Sequence, residues 1–136
     1  MKLDNAVVLI TGANRGLGLA FAREALARGA RKVYAGARDP STVTLPGVIP
    51  VKLDVTNADD IAAAVKQCGD VTLLVNNAGI GITGPFLAEG AVASAHKQLD
   101  TNFFGIWRMS QAFAPVLKAN GGGALLNVLS IASWIN

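Results

Sequence analysis

The sequence has one cysteine, Cys68, one histidine, His96, and one tyrosine, Tyr34. Each scarcity excludes something. A lone cysteine closes no internal disulfide, so the core must hold the fold, and with no secretory leader at the N-terminus the chain is expected in the cytoplasm. Cys68 reads as a small, half-buried hydrophobe on a helix. A single histidine with no cysteine cluster beside it offers no metal site, and His96 reads as a helix-surface residue. No apolar run approaches the roughly 20 residues of a membrane span, and no run of Lys or Arg marks a nucleic-acid surface. Only 15% of residues are charged and the net charge is +3, which points weakly to a small anionic ligand.

What the sequence has in plenty is apolar residues, 51% of the 136, with a mean hydropathy of +0.41. That excludes disorder, supports one domain with a substantial core, and is too short for two. It suits strands buried between helices, as in a parallel α/β sheet. No internal repeat or low-complexity tract is present.

The most informative stretch is Thr11-Gly12-Ala13-Asn14-Arg15-Gly16-Leu17-Gly18, preceded by the apolar run Ala6 to Ile10 and followed by a helical pattern. A buried strand that turns through glycines into a helix presents unpaired N–H groups and a positive dipole end, which favour an anion. The spacing is Gly-x-x-x-Gly-x-Gly. The residues count against a phosphate loop of the Walker type, because Leu17 and Gly18 stand where its Lys and Ser/Thr would follow the glycine. A plain strand-to-helix connector is the competing reading.

Downstream, strands and helices alternate. The patterns predict strands over 6–11, 32–37, 48–53, 71–75 and 124–129, and a helix over 17–28 whose Leu17, Phe21, Ala22, Ala25 and Leu26 face the sheet. Residues 41–50 hold two prolines and a glycine and read as a loop with room for one helical turn. Thr56 and Asp59 are spaced as a capping box for a helix over 58–67. A long helix is predicted over 92–114, ended or bent at Pro115. Its residues Phe103, Phe104, Ile106, Trp107 and Met109 are apolar on more than one face, so it needs cover on two sides. This alternation predicts a doubly wound parallel sheet of order 3-2-1-4-5, with a ligand at the carboxyl ends of the first and fourth strands.

Four motifs stand in order on this frame: Thr11 to Gly18, then Asp54-Val55 after the third strand, Asn76-Asn77-Ala78-Gly79 after the fourth, and Asn102-x-x-Gly105 in the long helix. Asn127-Val128-Leu129-Ser130 closes the fifth strand. The ordered set resembles the short-chain dehydrogenase/reductase family, NAD(P)-dependent oxidoreductases on a Rossmann-type fold. The resemblance implies that Gly12, Gly16 and Gly18 admit the cofactor pyrophosphate and that amides from Asn14 to Leu17, Arg15 among them, donate to it. Asp54 would accept from the adenine amino group beside the Val55 backbone. Asn76, Ala78 and Gly79 would line the path towards nicotinamide. Ala37 falls where an acidic residue would hold a ribose 2′-hydroxyl, and Arg38 follows it, with Arg15 within reach; this favours NADP(H) over NAD(H).

Family chemistry is hydride exchange between nicotinamide and a small carbonyl or alcohol substrate, with a Tyr lowered by a Lys four residues on. Ser130 matches the family serine that holds the substrate oxygen, and Asn102 the asparagine of its proton relay. No Tyr-x-x-x-Lys occurs; Tyr34 is followed by Ala35-Gly36-Ala37-Arg38. Three readings follow: the cofactor-binding portion of an oxidoreductase, 1–136, incomplete at its C-terminus and inactive alone; an NADP(H)-binding module or regulator without catalysis; and a naturally short protein with another role. A Rossmann-type methyltransferase is disfavoured by the glycine spacing and by Arg38. No nucleic-acid or membrane partner is expected, and a homo-oligomer through Phe103 to Met109 is.

Overall fold

The computed structural model describes residues 2–85 and 87–130. In chain order the elements are β1 (Val7–Thr11), α1 (Gly16–Ala27), β2 (Lys32–Ala37), a 3₁₀ turn (Pro40–Thr42), β3 (Ile49–Lys52), α2 (Ala58–Gln67), β4 (Leu73–Asn76), α3 (Ala91–Leu99), a π-helical turn (Asp100–Phe104), α4 (Gly105–Ala119) and β5 (Ala124–Asn127). All four strand pairings are parallel, in the order β3-β2-β1-β4-β5. This is the Rossmann-type sheet the pattern predicts. β1 lies between β2 and β4, with Val8 level with Val33 and Leu73.

Strand alternation splits the core into two layers. Val7, Leu9, Tyr34, Val51 and Leu74 face α2 and α4, where they meet Ile61, Ala64, Met109 and Phe113. Val8, Ile10, Val33, Ala35 and Val75 face the other way, against Ala22 and Ala25 of α1. The continuous apolar character of β1 and β4 follows from this cover on both faces. Cys68 is fully buried rather than half-buried, and burial pushes its thiol up to about 12.

Four local expectations are corrected. Leu17 is 64% exposed: α1 starts at Gly16, and its first turn stands at the sheet's carboxyl end, above the layer that Ala22 and Ala25 fill. The cap of α2 is Asn57, whose side-chain oxygen accepts from the amides of Asp59 (2.9 Å) and Asp60 (3.1 Å). Thr56 is already committed, donating its hydroxyl to Asp54 Oδ1 at 2.7 Å. Pro115 does not end the long helix, which runs to Ala119. Pro115 and Gln111, whose carbonyl loses its partner there, are both exposed, so water can take the missing bond. Met109 is buried in the core and separate from the open aromatic group Phe103, Phe104 and Trp107. The π-helical turn between α3 and α4 has no counterpart in the predicted pattern.

Candidate functional site

At the carboxyl end of the sheet a cleft of about 650 Å³ opens between the glycine turn, the end of β2 with the 3₁₀ turn, Leu53 to Thr56 after β3, and Asn77 to Ile80 after β4. Its floor depends on two glycines that differ in what they do. Gly12 has φ +66°, and a Cβ there would lie 3.1 Å from the Ala78 Cα. A Cβ on Gly18 would overlap the Gly12 carbonyl oxygen. Gly18 is therefore a packing glycine behind the cleft wall. Gly16, with φ +56°, faces open space.

Thr11 and Asn77 tie the two central strand ends together. The Thr11 hydroxyl oxygen accepts from the amides of Asn77 and Ala78, each at 2.9 Å. Asn77 Nδ2 donates to the carbonyls of Thr11 (2.9 Å) and Gly12 (3.2 Å). The glycine turn is thus fixed by hydrogen bonds from β4, and helix α1 begins where those bonds place it.

The N-terminus of α1 is open. Arg15 is its cap residue with extended backbone and no side-chain cap bond, and the first turn holds no acidic residue. The ladder starts with the Leu19 amide donating to the Arg15 carbonyl at 3.2 Å. The amides of Gly16, Leu17 and Gly18 precede it and have no intrahelical acceptor. Arg15 and Arg38 both line this cleft. Ala37, at the end of β2, is buried, so the neutral position predicted there holds no acid. Asp39 lines the cleft as well, with one carboxylate oxygen engaged in its own loop: Oδ1 accepts from the Ser41 hydroxyl (2.7 Å) and amide (3.0 Å), which hold the carboxyl below its ordinary range. Asn14 Nδ2 donates to the Thr42 hydroxyl at 3.0 Å, clasping the glycine turn to the 3₁₀ turn. Opposite, Asp54 Oδ1 accepts from the Thr56 amide at 2.9 Å. Val55 is buried against α4, where a Cβ on Gly105 would lie 2.7 Å from Val55 Cγ2.

Among the predicted site residues the cleft brings together Gly12, Asn14, Arg15, Gly16, Leu17, Arg38, Asp54, Val55, Ala78 and Gly79. Asn76 is a correction. It is 2% exposed and lies inside the sheet edge, donating from Nδ2 to Asn127 Oδ1 (2.9 Å) and Ser110 Oγ (3.3 Å). As the last residue of β4 it points into the layer under α4, and Asn77 takes the place on the cleft wall. Asn102 does not line the cleft directly; both ends of its amide bond the Ile80 backbone, at 2.9 and 2.8 Å. Ser130 is exposed three residues past β5. Tyr34 is remote from all of them: it is buried near the amino end of the sheet, where its hydroxyl donates to Asp70 Oδ1 at 2.9 Å. Burial first, and then that bond, raise its pKa, the reverse of what a proton donor at neutral pH needs.

Sequence reasoning missed Thr11 and Asn77 as structural ties and Thr42 as the partner of Asn14. Thr11 and Asn77 were visible as members of the motifs. Thr42 carried no signal, because a 28-residue separation hides its partner.

Comparison with known proteins places this geometry. A sequence model described as short chain dehydrogenase matches residues 6–135. A short chain dehydrogenase from Burkholderia cenocepacia J2315, solved in complex with NADP, superposes with a TM-score of 0.92 at 42% identity, covering 100% of this chain and 58% of that one. A 3-ketoacyl-(acyl-carrier-protein) reductase from Brucella melitensis, solved with NADH, gives 0.80 at 31% identity over 94% of this chain and 58% of its own. Human 17-beta-hydroxysteroid dehydrogenase type 1 is 40% identical over 142 residues, which cover 91% of this chain and 42% of that protein. The chain spans about half the length of the curated relatives it matches, 48% in an oxidoreductase of Schizosaccharomyces pombe. The match from end to end of the described sheet, with the glycine turn and the strand order, means that this chain belongs to the short chain dehydrogenase family.

Proposed function

We propose that this chain is the cofactor-binding part of an NADP(H)-dependent oxidoreductase that acts on a small carbonyl or alcohol. One observation carries the choice of cofactor: Arg15 and Arg38 share the cleft with the uncapped N-terminus of α1, and the carboxylate beside them, Asp39, has its Oδ1 engaged by the Ser41 hydroxyl and amide. Family members are solved with both NADP and NADH, so the family alone does not choose between them.

The residues present fit a dinucleotide. Gly16 leaves open space above three amides without helical acceptors, which suits a pyrophosphate. Asp54 offers a carboxylate to an adenine amino group, and the two arginines offer cationic donors to a 2′-phosphate. When bound, the nicotinamide ring gives or takes the hydride. The chain's own contribution is to bind and orient. Gly79 and Ile80 form the wall towards the ring, with Asn102 holding Ile80 in place, and Ser130 is the hydroxyl assigned to the substrate oxygen. Tyr34 is excluded as proton donor by its position. The 136 residues are therefore read as binding cofactor without turning it over. The exposed group Phe103 (53%), Phe104 (45%) and Trp107 (59%), stacked edge to face, is read as the surface that pairs with a second copy. No helix among the described residues is long and apolar enough to cross a membrane.

The test is the ratio of NADPH to NADH affinity in wild type and Arg38→Asp. Wild type is expected to prefer NADPH, and the variant to lose about tenfold or more of that preference, as expected for one charged hydrogen bond. An unchanged ratio would overturn the assignment.

A further inference from the structure

The loop after β4 is attached to the long helix by side chains acting as a strand. Ile80 exchanges two hydrogen bonds with the amide of Asn102. Ile82 does the same with Gln98: its N–H donates to Gln98 Oε1 at 3.2 Å, and Gln98 Nε2 donates to its carbonyl at 3.2 Å. The spacing explains the fit. Residues two apart in an extended chain are separated by about 6.6 Å, and Asn102 lies about one turn beyond Gln98, where α3 passes into the π-helical turn, a rise of roughly 5–6 Å. Primary amides at 98 and 102 therefore meet the outward-facing peptide groups of 80 and 82 in register. Among the described residues, the backbone hydrogen bonds of 79–83 all run through these two amides.

Gly79 and Ile80 line the cleft, on the side away from Arg38 and Thr42. Ile82 lies outside it and anchors the far end of the same extended segment. With Asn102 alone, the segment is held at one peptide and free to pivot; with Gln98 it is held at two. Gln98 is half-buried and makes no contact with the cleft itself.

We propose that Gln98 is a positioning residue for the nicotinamide half of the cofactor cleft, acting through the peptide group of Ile82. This rests on the dinucleotide reading above. Its effect falls on one half of the ligand, because the adenosine half meets the glycine turn, Arg38 and Asp54, none of which Gln98 touches.

Two probes of different length read this out in the full chain. NADPH spans the whole cleft, whereas 2′,5′-ADP fills only the adenosine side. Gln98→Leu, which keeps the bulk and removes both bonds, is expected to weaken NADPH about tenfold while 2′,5′-ADP stays within about twofold. Gln98→Glu, which still accepts from the Ile82 N–H but sets a carboxylate oxygen against its carbonyl, is expected to weaken NADPH at least as much as Leu. Equal losses for both ligands, or no loss for either, would overturn the proposal. Amide hydrogen exchange in the wild type gives a check that needs no variant and no ligand: the Ile82 N–H should exchange more slowly than that of Gly81, and equal rates would count against Gln98 holding it. If wild type bound neither probe, the dinucleotide reading would fail while the Ile82 exchange still reported on the tether.

Discussion

Helices α1 and α2 both begin at the carboxyl end of the sheet, each just after a strand, and they finish their N-termini in opposite ways. In α2, Asn57 accepts from two first-turn amides, and Asp59 and Asp60 place negative charge against the dipole. In α1 the cap position is Arg15, there is no side-chain cap, and the first turn is Gly-Leu-Gly. An end that satisfies itself has nothing to offer a ligand. The end left open, with cations beside it, gives up roughly 1 kcal/mol of capping energy and keeps its amides for an anion. The site is identified by this difference between two helices of one sheet rather than by the glycines alone.

The largest change should come from forcing α1 away from the glycine turn. Gly18→Val places side-chain atoms where the Gly12 carbonyl already sits, and separating β1's turn from α1 is expected to cost roughly 3 kcal/mol. A urea-unfolding midpoint measured for both proteins checks this. A variant as stable as wild type would mean that α1 packs less tightly on the turn than described.

Next comes a change that makes α1 resemble α2. Arg15→Asp supplies a cap carboxylate to the free amides and removes a cation from the cleft. The folded chain should gain about 0.5–1 kcal/mol, and NADPH affinity should fall about tenfold or more. Stability and affinity moving in opposite directions is the signature of amides shared between a cap and a ligand. Loss of both would show that Arg15 supports the fold instead. The reciprocal substitution, Asn57→Ala in α2, should lower stability by about 1 kcal/mol and leave NADPH affinity unchanged in a parallel titration.

The contrast was half visible in the sequence. The glycine turn and the strand order follow from spacing and apolar runs, because a buried parallel strand and a turn with positive φ each restrict which residues can serve; the ten cleft residues come from the family resemblance of the ordered motifs. The errors cluster where two residues of equal aptitude stand side by side. Thr56 and Asn57 can both cap, and the choice was made by Asp54, which takes the Thr56 hydroxyl and leaves Asn57 for the helix. Asn76 and Asn77 can both line a cleft, and the strand's two-residue alternation sends the first inward to Asn127 and Ser110. Leu17 fits a helical stripe, yet the first turn of α1 rises past the sheet edge. The π-helical turn leaves no mark in hydrophobic spacing. A single extra residue in the turn shifts the phase of a stripe that is already apolar on several faces.

The smallest expected effect lies at the opposite end of the sheet, where charge is paired instead of left open. Lys32 Nζ bridges Asp70 and donates to the Tyr34 hydroxyl, and Tyr34 donates to Asp70. Burial would raise the Asp70 carboxyl, but the hydrogen bonds from Lys32 and Tyr34 outweigh it and hold the group below its ordinary range. Lys32 is raised, chiefly by its bond to Asp70. The signs then fix a window. A lowered carboxyl contributes stability that is complete above the ordinary value of about 4 and is lost as pH falls through the lower folded value. A raised ammonium contributes stability that is present below its ordinary value of 10.5 and lost as pH rises through the folded one. Both side chains of the bridge are about a third exposed, 35% and 37%, so solvent screens it and Asp70→Asn should cost only about 0.5 kcal/mol at pH 7. The difference between variant and wild type in urea midpoint should be constant from pH 6 to 9 and shrink by pH 3, with NADPH affinity untouched throughout. A difference that grew on acidification would mean that Asp70 is not held ionised by this pair. A change in NADPH affinity would mean that the two ends of the sheet are coupled, and that the open end of α1 depends on more than its own turn.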